Sequence, residues 1–432
     1  MQTASKKVIN GWAMYDWANS VYNLVITTTF FPIYYTEMTK GQPFNGIVPF
    51  AGRHYVNTAL YNYALAAAYL IVAFTLPILT SIADARGNKK RYMQFFCYMG
   101  ALSCSCLYFF TEKYFSFGVV VMMLAAVGFY GSLVFYNSYL PDIAAVEDRD
   151  RISARGFSFG YIGSVIMQII GFLLVVFHKQ LPFLETEGDA VRVTFLLVGI
   201  WWIGFAQIPF KRLPKSKPAN EDSFKTNAFT SGFTELKKVF AQVKTMKVMR
   251  RFLGAFFFYN MGVQTVMLIA SNFGSKVLNL PSTNLIVTVV LIQLVAIPGA
   301  ILMSRLSMKY GNLQVLMGVV LLWVAICIYG YFMQTATDFY ILAVIVGLVM
   351  GGIQSLSRST FSKLMPETKD TASFFSFYDI TEKIAIVIGL TTFAYIEERV
   401  DMRTSVLSLM TFFTIGLLFL IYAWYGQKKQ EV

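Results

Sequence analysis

Twelve apolar runs alternate with polar stretches along the chain, at roughly 12–36, 57–80, 92–111, 115–139, 154–177, 193–210, 252–275, 284–304, 313–334, 339–358, 372–396 and 404–425. A bilayer core about 30 Å thick is crossed by about 20 helical residues. The pattern therefore predicts an all-α polytopic membrane protein with twelve transmembrane helices. An even number of crossings puts both chain ends on one side. The longest polar stretch, 211–251, divides the runs six and six. It predicts an N-terminal half over 1–210 and a C-terminal half over 252–432, joined by a basic linker. The linker opens on the Pro- and charge-rich KRLPKSKPANEDS, which reads as a flexible connector. It continues with FTELKKVFAQVKTMKVM, which places Phe233, Leu236, Phe240, Val243 and Met246 on one helical face. Lys237, Lys238, Lys244 and Lys247 fall mostly elsewhere, which suits a helix lying on the inner membrane surface. A solvated linker helix is the alternative.

Composition agrees with the pattern. Hydrophobic residues make up 56% of the 432 and charged ones 14%, against about 25% charged in soluble proteins. The net charge of +13 raises the question of nucleic acid, and the placement of the charges answers it. Counted loop by loop from an inner N-terminus, 27 Lys and Arg fall in inner segments and 8 in outer ones, with Lys383 the remaining one of 36. This bias is the one that orients membrane proteins, so both termini are expected in the cytoplasm and no nucleic-acid partner is implied. The four cysteines lie in apolar segments without metal-site spacing and read as small hydrophobes. There is no H-E-x-x-H, P-loop or nucleophile elbow. The chain is thus expected not to be an enzyme and to need no cofactor or metal.

The eleventh run is where chemistry collects. It holds Asp379, Glu382 and Lys383, and 13 residues separate Lys383 from the next charge, Glu397. Those residues rise about 20 Å, too little to span, so the three charges lie inside the membrane. Each costs at least about 2.5–3.5 kcal/mol there unless paired or facing water. The spacing puts all three on one helix face. Lys383 reads as a substrate anchor, with Asp379 and Glu382 as balancing or coupling charges. The rival is a purely structural pair of Asp379 with Lys383. Polar stripes enter two other helices. Asn19 and Asn23 lie near Asp16 in the first, and Asn260 and Gln264 lie in the seventh. These amides are candidates to line a cavity. Asp16 is placed by length alone either at the inner edge or inside, as a coupling charge. Tyr15, Trp17, Tyr259 and Tyr378 flank the stripes, and Tyr378 is a candidate substrate contact. Arg358 follows 19 uncharged residues after Asp338, which predicts a place at the inner edge of the tenth helix and a gating role.

The halves carry traces of a repeat. Gly156 to Ile162, GFSFGYI, resembles Phe374 to Ile380, FFSFYDI, and Gly87-Asn88 is matched by Gly311-Asn312. Duplication of this kind is common in secondary transporters with a midplane site.

Thr80 to Arg91, T-S-I-A-D-A-R-G-N-K-K-R, resembles the signature loop of the major facilitator superfamily, with departures at Thr80 and Ala85. Gly87 permits the turn, and the resemblance implies that Asp84 gates by facing the N-terminus of the eleventh helix. Gly11 to Tyr22, G-W-A-M-Y-D-W-A-N-S-V-Y, is similar to the opening of the vacuole effluxer-like family within that superfamily. These are amino-acid effluxers of fungal vacuoles and their bacterial relatives. The likeness recurs at Phe135 to Ala144, at Tyr259 to Val266 and at Gly351 to Pro366. Met261 stands where the family suggests an aspartate, and Leu390 where a proline often follows Gly389. The resemblance implies a secondary active transporter of a small polar solute, working as a monomer by alternating access, with neutral amino-acid efflux as its activity. The membrane would be a cell (inner) membrane, or a vacuolar one in a eukaryote. Other metabolites, such as a sugar or a drug-like amphiphile, or a non-transporting receptor or scaffold, are the alternatives.

Overall fold

The computed structural model describes residues 2–218 and 228–431. Twelve long helical runs follow one another. The first is continuous through Lys6–Val21, a π-helical stretch Tyr22–Phe30, and Phe31–Lys40. The second to sixth are Asn57–Arg86, Lys89–Cys106, Phe115–Asn137, Arg149–Val176 and Glu187–Arg212. The seventh to twelfth are Lys247–Leu278, Ser282–Tyr310, Asn312–Phe332, Ala336–Leu364, Thr371–Arg399 and Met402–Glu431. Nine of these, among the described residues, are long and apolar enough to cross a membrane by length and composition. The first, third and eleventh complete the twelve. Several helices are longer than their apolar runs, because polar ends extend past the hydrocarbon. The sixth and tenth start at matched capping boxes, Thr186 with Asp189 and Thr335 with Asp338, which satisfy backbone N–H groups left over at a helix start. The second helix ends at Gly87, in the left-handed conformation with φ +63°, where a side chain would be strained.

Within the N-terminal half the first helix packs on the fifth and sixth, and the third on the fourth and sixth. In the C-terminal half the seventh packs on the eleventh and twelfth, and the eighth on the tenth. Small residues allow these approaches, as they do in membranes generally. A Cβ on Gly351 would lie 2.1 Å from the Ala296 carbonyl oxygen. The halves meet along two seams, second helix against eleventh and fifth against eighth. The loop between the first and second helices folds into a hairpin that the hydropathy pattern does not signal. Strand β1, Ile47–Phe50, pairs antiparallel with β2, Arg53–Val56, around Ala51 and Gly52, both at positive φ, as a tight hairpin turn demands.

The connecting helix is Ala228–Thr245. It buries Gly232, Glu235, Val239 and Val243 against the protein, while Phe233 and Phe240 stay exposed. The expected apolar face is thus rotated. The small or β-branched residues fit the close contact with the second helix, which the larger rings cannot enter. Lys238 bridges to Glu235 at 3.0 Å and to Asp370, at the head of the eleventh helix, at 3.1 Å. Partial burial works to lower the Lys238 pKa, but the two carboxylates outweigh it and leave it raised. Other linker residues, 219–227, lie outside the described residues.

Candidate functional site

Lys383 stands 12 residues after Thr371 in a 29-residue helix, about 18 Å along its axis. Its ammonium lies 3.1 Å from Asp379 Oδ1 and 3.1 Å from Glu382 Oε2. It also faces the ring of Tyr130 on the fourth helix, 4.2 Å from the centroid, a favourable place for a desolvated cation. The Tyr130 hydroxyl is 3.1 Å from that of Tyr69 on the second helix. Gln264 of the seventh helix donates to Glu382 Oε1 at 3.2 Å and approaches Asn260 Oδ1 at 3.5 Å. The cluster therefore joins helices of both halves, and Glu382 has the partner that its own helix does not supply alone. Asp379 Oδ2 and Asn260 Nδ2 are buried without a hydrogen-bond partner among the described residues.

Other candidates lie elsewhere. Asn19 is fully buried, with both side-chain polar atoms unpartnered, and Asn23 is half-buried in the π-helical stretch. No hydrogen bond among the described residues joins either to Lys383. Tyr378 is occupied within its own half, stacked on Phe256 at 4.2 Å and against Phe361 at 5.2 Å. Trp17 stacks on Trp201, and the Tyr259 hydroxyl meets Ser357 Oγ at 2.6 Å. Met261 is buried where the eleventh helix comes closest. A Cβ on Gly389 would sit 2.6 Å from its carbonyl oxygen.

Arg358, expected as an anchor at the inner edge, is buried between the halves six residues before the end of the tenth helix. Its Nη1 bonds Asp16 Oδ2 and Asn137 Oδ1, each at 3.2 Å, its Nε bonds Ser153 Oγ at 2.9 Å, and its Nη2 bonds the Ser153 carbonyl at 2.8 Å. Trp12, Tyr136 and Phe157 surround the guanidinium. Asp16 is buried too, and also accepts from the Tyr136 hydroxyl at 2.7 Å. The apolar length of the tenth helix does not reveal these partners, and a hydrogen-bonded guanidinium tolerates burial that an unpaired one does not.

Both seams are closed at the end that carries the chain termini. The carboxylate of Asp84 accepts from the Ser373 N–H at 2.7 Å, the Ser373 hydroxyl at 2.8 Å and the Ala372 N–H at 3.3 Å. These are unpaired donors of the first turn of the eleventh helix, the positive end of its dipole. Beside them Lys89 bonds Asp142 at 2.5 Å and Thr371 at 2.6 Å. The second seam escaped the sequence reading. Asp150, in the first turn of the fifth helix, accepts from Ser307 at 2.8 Å, Asn312 at 2.7 Å and Lys363 at 2.5 Å, all in the other half. The repeat Gly87-Asn88 and Gly311-Asn312 pointed to this place without naming Asp150. The termini fix which end this is. Thr3 bonds Asp148, and Arg251 bonds the Tyr422 carbonyl. Toward the other end a thinner contact runs from Gln293 to Gln168 at 2.9 Å and from Gln168 to Thr29 at 3.0 Å.

Two six-helix halves, joined by a connecting helix and meeting along two seams around intramembrane charges, define a transporter of the major facilitator type. Solved structures share the fold. The fucose transporter FucP in the outward conformation superposes with a TM-score of 0.70 at 14% identity, covering 96% of this chain and 98% of that one. The human organic anion transporter MFSD10 gives 0.70 at 12% identity, over the same shares. The chain belongs to the family described as vacuole effluxer Atg22 like, whose model matches residues 4–432. An uncharacterized MFS-type transporter, YxiO, of Bacillus subtilis (strain 168) is 31% identical over 96% of this chain and 94% of its own. Autophagy-related protein 22 of Coccidioides immitis (strain RS) is 24% identical over 91% of this chain and 82% of its own. The stretches that carry the family likeness in this sequence converge on the seams, through Asp16, Asp84, Asn137, Asp142, Arg358 and Lys363.

Proposed function

We propose that this transporter carries a small zwitterionic solute, a neutral amino acid in the first instance, out of the cytoplasm by alternating access. One observation carries the reading: an ammonium, Lys383, is held between two carboxylates near mid-helix, where the halves face each other. A solute carboxylate competes for Lys383 and for the free amide donor of Asn260. A solute ammonium is received by Asp379, whose Oδ2 has no other partner among the described residues. Gln264 holds Glu382 aside, and the Tyr130 face keeps Lys383 desolvated, so exchange of partners costs less than exposure of either charge. Rocking of the halves opens the seams at Asp84 and Asp150 in turn with the far contact at Gln168. Asp379, Glu382 and Asp16 are the groups able to take a coupling proton. The test is counterflow in proteoliposomes loaded with a panel of amino acids, sugars and amphiphilic drugs. Exchange of neutral amino acids that is lost in Lys383→Ala supports the reading. Exchange of sugars or drugs alone replaces the substrate, and no exchange at all favours a scaffold.

A further inference from the structure

The connecting helix carries two faces. Gly232 sits on Ile82 and on the Ile78 carbonyl of the second helix, so close that a Cβ there would lie 2.5 Å from Ile82 Cγ1. At its other end Lys238 holds Asp370 of the C-terminal half, and Phe240 lies 6.1 Å from Phe377 on the eleventh helix. The helix thus crosses the outside of the second-eleventh seam and grips both halves. About 120° around from this buried face, at 100° per residue, runs a stripe at spacing i, i+4, i+7, i+11. It reads Phe233, Lys237, Phe240, Lys244. Phe233 is 49% exposed and Phe240 59%, both lysines are exposed, and the Lys237 ammonium lies 5.4 Å from the Phe233 ring centroid.

Depth decides what the stripe meets. The second apolar run ends at Thr80, between Ile78 and Ile82, which puts this contact at the boundary between hydrocarbon and headgroups, the level at which an interfacial helix lies. Phe74, one turn further along the second helix, is 75% exposed and continues the same outward surface into the apolar region. Rings at this level enter the acyl boundary, while lysine stems run up along them and carry ammonium groups to the headgroups. We propose that this stripe binds anionic phospholipid of the surrounding membrane, and that the connecting helix is a lipid-held strap over the second-eleventh seam. Because it grips Ile82 on one side of the seam and Asp370 on the other, separation of the two helices requires it to release one of them.

The test uses the full chain in bilayer discs of phosphatidylcholine alone or mixed with phosphatidylglycerol, comparing wild type with Lys237→Gln/Lys244→Gln. Retained lipid is counted by native mass spectrometry. Spin labels on the ends of the second and eleventh helices report the seam. At about fivefold per headgroup-facing lysine, the double variant is expected to bind phosphatidylglycerol about 25-fold more weakly. In wild type, phosphatidylglycerol should narrow the seam distances, and in the variant it should not. Both proteins should keep the same unfolding temperature in phosphatidylcholine. Equal retention by both proteins overturns the proposal. So does an effect reproduced by soluble inorganic phosphate, or a second copy of the chain found seated on the stripe.

Discussion

Asp16 and Arg358 meet at 3.2 Å across the boundary between the halves, each with almost no exposed side-chain surface. The pair is a charge-assisted contact that the molecule must break each time its two seams part. Removing one partner from a buried ion pair costs about 3–5 kcal/mol, because the other charge is left behind. Asp16→Asn and Arg358→Ala are therefore expected to move the population away from the closed seam by about two to four orders of magnitude. Distances between labels on the tenth and fifth helices measure this, and an unchanged distribution would make the pair a static one. Arg358→Lys should not rescue, since Nε, Nη1 and Nη2 each hold a different bond and an ammonium cannot reproduce the fork.

The two seams should respond unequally. Asp84 bonds backbone and hydroxyl donors at a helix start, an arrangement worth about 0.3–2 kcal/mol, while the nearby Lys89 ammonium bonds Asp142 and Thr371 instead. Asp150 receives an ammonium as well as two neutral donors, and bonds to charged groups contribute about 1.5–3 kcal/mol each. Asp150→Asn is expected to widen the fifth-eighth seam more than Asp84→Asn widens the second-eleventh. Pulsed distance measurements on the two seams in each variant decide it, and the reverse ranking would contradict this account.

The contrast between these aspartates shows what a sequence can and cannot carry. The twelve helices are legible because membrane length and hydropathy are local properties. Lys383 was legible because 13 residues cannot span a bilayer. Asp84 was legible through a loop resemblance. Asp150 was not, since a charge at the start of a helix has a bland solvated reading until a partner from the other half is known. The partners of Arg358 were hidden for the same reason. Four bonds and three aromatic rings from distant segments make its burial tolerable, and none is visible in the tenth helix. Tyr69 and Tyr130, which complete the Lys383 cluster, were hidden among 25 tyrosines.

Orientation is checked separately. With 27 Lys and Arg in inner segments against 8 in outer ones, the termini are expected in the cytoplasm. In a background without the four native cysteines, Arg53→Cys in the outer hairpin should react with an impermeant thiol reagent on intact cells. Lys217→Cys should react only after lysis. The opposite pattern inverts the assignment.

Close approach of the seventh and eleventh helices depends on Gly389. A methyl group there would lie 2.5 Å from Thr265 Oγ1 and 2.6 Å from the Met261 carbonyl oxygen, and overpacking of this kind costs about 1–3 kcal/mol. Gly389→Ala should lower the unfolding temperature in detergent. Gly318→Ala, which meets nothing within 4 Å, should leave it unchanged or raise it, as alanine favours a helix over glycine by about 1 kcal/mol. If both substitutions behave alike, the contact contributes nothing.

The Lys383 cluster separates binding from architecture through a double-mutant cycle. If Lys383 and Asp379 only neutralise each other, Lys383→Ala leaves Asp379 without a cation and destabilises by about 3–5 kcal/mol, while Asp379→Ala leaves Lys383 its contact with Glu382 and costs less. Asp379→Ala/Lys383→Ala should then recover both stability and transport. If Lys383 anchors the solute, the double variant recovers stability and stays inactive. Glu382 adds a finer division. It shares the ammonium with Asp379 and is also held by Gln264. Only the carboxylate that takes the coupling proton should, when replaced by its amide, change the pH dependence of transport while leaving counterflow intact. Because Asp379 Oδ2 is the unpartnered acceptor, Asp379→Asn is expected to weaken solute binding. Glu382→Gln is expected to keep binding and flatten the pH profile. Wild-type transport in a well-folded Asp379→Ala/Lys383→Ala chain would remove the cluster from the mechanism altogether.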